Sequence, residues 1–92
     1  MEMYYDKEGR KLTLEEWGHK FEDRDYKRIE RSELDNGLVV STVWIGLNQR
    51  YGEGTPLIFE TMVFNGPEEI QERYSTLEDA NAGHLAMVES VK

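Results

Sequence analysis

Two runs dense in β-branched, aromatic and long apolar residues dominate the chain: LVVSTVWIGL at 38–47 and LIFETMVF at 57–64. A nine-residue, glycine-bearing link, NQRYGEGTP at 48–56, joins them. This pattern predicts two paired central strands with the link as their loop. The first run splits into two sets. Val39, Ser41, Val43, Ile45 and Leu47 form the more apolar one and are expected to face the helices; Val40, Thr42, Trp44 and Gly46 point the other way. The second run has no cleanly polar face. Ile58, Met62 and Phe64 alternate with Glu60 on one side, and Leu57, Phe59 and Val63 with Thr61 on the other. Either both sides are partly covered, or the open side is a contact surface.

Before these runs, residues 3–5 read as a short strand entering a turn. Thr13, with Glu16 three residues later, makes a capping box. Leu14, Trp17 and Phe21 then recur on one helical face, predicting a helix over about 13–22. Residues 26–34 (YKRIERSEL) read as a polar outer strand, closed by the turn signal Asp35-Asn36-Gly37. After the second run, residues 68–74 (EEIQERY) fit a fourth strand better than a turn, with Ile70, Glu72 and Tyr74 on one side. Ser75 and Glu78 form a second capping-box pattern. Leu77, Ala80, His84, Met87, Val88 and Val91 follow at helical spacing, predicting a helix over about 76–91.

The expected fold is therefore α+β: a three- to four-stranded, mostly antiparallel sheet with the two helices on one face. Ninety-two residues fit one domain spanning 1–92.

Charge changes the picture in one respect. The net charge is −8, and it is unevenly placed. Residues 1–33 hold eight of the eleven basic residues and ten of the nineteen acids, whereas residues 34–92 hold three and nine. Such a field opposes direct nucleic-acid binding and is compatible with docking onto a basic surface, including one that normally holds DNA or RNA. The chain has no cysteine, which excludes disulfides and thiolate chemistry. No apolar run approaches the length of a membrane helix, and the start carries no apolar signal core. The expectation is a cytoplasmic protein without membrane contact.

Candidate chemistry centres on the link. Asn48 and Gln49 offer amides, Arg50 a guanidinium and Tyr51 an aromatic face, groups that suit a small nucleotide. Trp44, on the lesser apolar set, is expected on an open sheet face near Glu60, where it would anchor a partner or a second copy of the chain in a homodimer. No P-loop, zinc spacing, EF-hand or nucleophile elbow is present, so neither a cofactor nor a metal is expected. His84 sits in the helical apolar stripe and reads as a packed residue rather than a base. A hydrolase built on Glu60 with His84 or Arg73 is the weakest reading.

The segments VSTVWIGLNQRYGEGTPLIFETMVF and RYSTLEDANAGHLAMV, with the opening YYDKEGRKLTLEEWGHKFED, resemble a family of small proteins frequent in phages, prophages and bacterial genomes. The family has no assigned activity, so the resemblance transfers no catalytic residue. A second proline common in the family's link is absent from GEGTP. The resemblance implies a setting: an accessory protein that occludes a host defence effector or nuclease, or one that sequesters a signalling cyclic nucleotide. Both are binding functions without catalysis.

Overall fold

The computed structural model describes residues 3–50 and 52–92. Two short strands, β1 (Tyr4–Tyr5) and β2 (Lys11–Leu12), form a hairpin. Helices α1 (Leu14–Glu22) and α2 (Arg24–Lys27) follow, then four strands: β3 (Arg28–Glu33), β4 (Val39–Trp44), β5 (Phe59–Phe64) and β6 (Ile70–Tyr74). Helix α3 (Leu77–Val91) closes the chain. The four strands form an antiparallel sheet in the order β3-β4-β5-β6, each strand beside its neighbour in sequence. The α+β expectation holds, with the small β1–β2 hairpin and α2 added to it.

Local chemistry explains the ends of the elements. Thr13 and Glu16 cap α1 reciprocally as a capping box, each side chain bonded to the other's amide. Asp23 ends α1 and starts α2, its Oδ1 accepting from the amides of Asp25 and Tyr26. The outer strand consequently begins at Arg28 and not at Tyr26, because that cap winds residues 24–27 into one helical turn. The cap of α3 lies one residue beyond the expected position: Thr76 accepts from the Asp79 amide, so Ser75 is not the capping residue.

The faces of the central strands are the reverse of the apolar count. Val40, Thr42 and Trp44 are buried, while Val39, Ser41 and Val43 are only half-buried. Their partners Val63, Thr61 and Phe59 on β5 are buried with them. The cause is polar pairing inside the core. Thr42 and Thr61 hydrogen-bond through their hydroxyls, Thr42 bonds His84 of α3, and the Trp44 indole N–H donates to the Tyr5 carbonyl at 3.0 Å. Satisfied in this way, two threonines and an indole cost little to bury, and the larger side chains of this set fill the layer.

Two clusters make up the core on this face. Trp44, Ile58, Phe59, Ala80 and Tyr5 form one, covered by Trp17, Phe21 and Tyr26 from the N-terminal helices. Tyr26 meets Trp44 edge-on with ring centroids 4.9 Å apart, and Trp17 stacks on Phe21 at 4.7 Å. The other cluster is Val40, Val63 and Met87 beneath the end of α3. Both helical segments thus pack on one side of the sheet. Leu14, by contrast, is 62% exposed and contributes nothing to the stripe predicted for α1.

Gly46 is fixed by this packing. Its φ is +77°, and a Cβ there would lie 2.3 Å from the Trp44 ring and 2.8 Å from Trp17. Gly46→Ala should lower the unfolding free energy by about 2–5 kcal/mol, adding left-handed strain to overpacking. Gly9→Ala, also at positive φ but with no atom within 4 Å of the new Cβ, should lose only about 1–2 kcal/mol. Urea denaturation of the two variants against the parent checks the difference.

Candidate functional site

The proposed binding residues do not converge. Trp44 is fully buried under Phe21, Tyr26 and Tyr5, so it is not available to a partner, contrary to the expectation of an exposed anchor. Tyr51 lies outside the described residues. The remaining residues of the link are turned to holding it. Asn48 Oδ1 accepts from the amides of both Arg50 and Leu57, at 2.9 Å each, and so joins the two ends of the link. Gln49 Nε2 donates to the Leu47 carbonyl at 3.1 Å. Arg50 Nε donates to the Thr55 carbonyl, and its side chain crosses Gly54 so closely that a Cβ there would stand 3.0 Å from it. These amides and this guanidinium act first as internal fasteners, as Asx-type side chains commonly do in loops.

Glu60 is on the opposite face from Trp44. It accepts from Arg73 Nε at 3.0 Å on the side of the sheet that carries no helix. His84 is on the helical side, 1% exposed, so Glu60 and His84 are separated by the sheet and cannot share a proton relay.

His84 itself has the contacts of a relay. Its Nε2 bonds Ser32 Oγ at 2.9 Å and its Nδ1 bonds Thr42 Oγ1 at 2.8 Å. A base joined to a serine on one side and oriented on the other is the logic of a nucleophilic dyad. His84 is 1% exposed and Ser32 is half-buried, and neither lines the hollows beside Tyr5, Leu34, Ser41 or Gly83. The arrangement braces α3 against β3 and β4. Burial holds the His84 imidazole below its usual pKa, opposed by the nearby Glu30 carboxylate.

The uncovered face of the sheet is the largest feature the sequence reading placed wrongly. Cross-strand register arranges its outward side chains in three rows. The first is Arg28, Val43, Glu60 and Arg73; the second Arg31, Ser41, Met62 and Gln71; the third Glu33, Val39 and Phe64. Phe64 is 46% exposed. At the edge beside the first row, Arg24, Lys27, Arg28 and Arg31 line a shallow hollow of about 200 Å³ with Ser41 and Val43. Of these cations, Arg31 is bridged to Glu33 and Lys27 lies 4.3 Å over the Phe21 ring. Among the described residues, Arg24 and Arg28 enter no ion pair.

The sequence did contain a trace of this cluster. Arg24, Lys27, Arg28 and Arg31 sit three, four and seven residues apart, a helical spacing that the chain realises by passing from α2 into β3. No group of three or more His, Cys, Asp or Glu among the described residues could hold a metal ion, and no described helix is long and apolar enough to cross a membrane.

The His84 brace makes a pH prediction. The folded-state pKa lies below the unfolded value, so the unfolded chain binds the proton more readily. The stability contributed by neutral His84 is complete above the unfolded value of about 6.5 and is lost as pH falls through that value toward the folded one. Denaturant midpoints measured from pH 7.5 to 5 should decline, and His84→Gln, which does not titrate, should show a flatter decline from a lower starting stability.

No family model matches the chain, and no curated protein and no solved structure proved similar to it.

Proposed function

We propose that this chain is a non-enzymatic accessory binding protein of the phage or prophage kind, which inhibits a host effector or nuclease by covering its basic surface. The observation that carries the reading is the placement of the acids. Of the nine carboxylates in residues 34–92, all but Glu60 are exposed. Glu68, Glu69 and Glu72 stand on β6 and the turn before it, Glu78 and Asp79 on the first turn of α3, and Glu89 on its last. Only Arg50, Arg73 and Lys92 answer them in this half of the chain, and Arg73 and Lys92 are already bridged to Glu60 and Glu89. A surface of this kind attracts a cationic partner over about 8–10 Å at moderate salt and repels nucleic acid.

The second reading, a protein that sequesters a small cyclic nucleotide, draws support from the cationic hollow beneath Ser41 rather than from the link. Arginines are suited to bidentate phosphate contacts. A panel of cyclic nucleotides at millimolar concentration separates the two, because a ligand that binds only the native state raises its melting temperature. No shift is expected on the preferred reading.

The main test is affinity capture from the host lysate, followed by kinetics with the captured protein. The parent chain should retain a basic host protein. Reversing Glu68, Glu69 and Glu72 to lysine together should slow association by about tenfold or more at low salt and flatten its salt dependence. Capture that survives this reversal with unchanged kinetics would overturn the proposal.

A further inference from the structure

We infer that the helix-free face of the sheet is covered by a second copy of this chain, packed face to face with its strands antiparallel. Three features of the face lead there. On its two middle strands Val39, Val43, Met62 and the half-exposed Phe64 point outward beside Ser41 and Glu60, so apolar side chains predominate there. Its charges are displaced along the strand direction. The turns after β3 and after β5 lie at one end, with Glu33, Asp35, Glu68 and Glu69. Arg24, Lys27, Arg28 and Arg73 lie at the other, with Asp23 and Asp25 at the start of α2 and Glu60 bridged to Arg73. Its cations at that second end are incompletely neutralised, since Arg24 and Arg28 enter no ion pair among the described residues.

Stacked sheets prefer strand directions within about 30° of alignment, leaving two arrangements with twofold symmetry. With the axis along the strands, β3 would oppose β6 of the partner subunit: Arg28 would lie over Arg73 of the partner subunit, itself bridged to a glutamate, and the acidic turns of both copies would share one end. With the axis across the strands, along the row of Ser41 and Met62, β3 opposes its own copy with ends exchanged. Arg28 then meets Glu33 of the partner subunit, and Val43 meets Val39 of the partner subunit, each contact occurring twice. Met62 meets its own copy near the axis. Arg31, in the same row, comes near its copy too, and its own Glu33 is then shared between Arg31 and the incoming Arg28 of the partner subunit. Only the second arrangement joins the basic end to the acidic one, and like charges set opposite one another disfavour the first.

The dimer leaves α3 and the outer edge of β6 outward on both sides. It therefore presents Glu72, Glu78, Asp79 and Glu89 of the proposed acidic surface twice, while Glu68 and Glu69 lie at the seam; Met62→Lys, which alters none of these acids, tells failure of the dimer from failure of the proposed function.

Sedimentation equilibrium at about 100 μM tests it, with circular dichroism confirming that each variant is folded. The parent should sediment at twice the 10.8 kDa of one chain. Met62→Lys, at the axis, should give the single-chain mass. Arg28→Glu should weaken association by about tenfold or more, since it sets two carboxylates together twice. The charge exchange Arg28→Glu with Glu33→Arg should restore it to within about threefold of the parent. A single-chain mass for the parent at this concentration overturns the inference and leaves the face to a partner of another chemistry. A dimer insensitive to Met62→Lys also overturns it, as association through another surface. Loss with Arg28→Glu that the exchange fails to repair overturns the antiparallel arrangement.

Discussion

A buried imidazole, its charged form disfavoured by desolvation, fixes which side of the sheet is inside. With both ring nitrogens engaged, by Ser32 on β3 and Thr42 on β4, His84 ties α3 to two strands at once. The bond to Thr42 is possible only if that threonine points at the helix. Alternation along the strand then sends Val40 and Trp44 inward with it, and Val39, Ser41 and Val43 outward. The position of the N-terminal layer follows, because α1 and α2 pack where Trp44 offers a ring, and the identity of the uncovered face follows as well. One side-chain network thus sets the handedness of the whole arrangement with respect to solvent.

The elements themselves were readable because each carries a local cause. Thr13 and Glu16 mark the start of α1, the β-rich runs mark β4 and β5, and the spacing of Ala80, His84 and Met87 marks the inner stripe of α3. The choice of face was not readable, for a physical reason. Counting apolar residues treats threonine as half polar, yet a threonine whose hydroxyl has a buried partner is nearly as good a core residue as valine. Thr42 and Thr61 acquire that partner from each other and from His84, residues distant in sequence whose meeting no window of ten positions can reveal.

The link between β4 and β5 illustrates a related ambiguity. Its amides and guanidinium were legible as hydrogen-bonding groups, but sequence does not say whether such groups serve a ligand or the loop. In the folded chain Asn48 and Arg50 spend their capacity on backbone groups of the link. The cationic hollow was hidden for the opposite reason. Its four basic residues straddle a helix–strand junction, so neither the helical nor the strand period alone places them on one surface. The balance of charge between the two parts of the chain was visible at once, and it survives folding as an exposed acidic half.

Because each strand of the sheet lies beside its sequence neighbour, hairpins can assemble progressively from short chain closures at small entropic cost. Tyr5 and Trp44, by contrast, are joined across thirty-nine positions, and the aromatic layer of Trp17 and Phe21 depends on that reunion. Val40 and Met87 of the other cluster lie farther apart still, so both clusters depend on long chain closures. The hairpins of the sheet can therefore form before either cluster is complete: one needs α3 to bring Met87 to Val40, the other needs Tyr5 to return to Trp44.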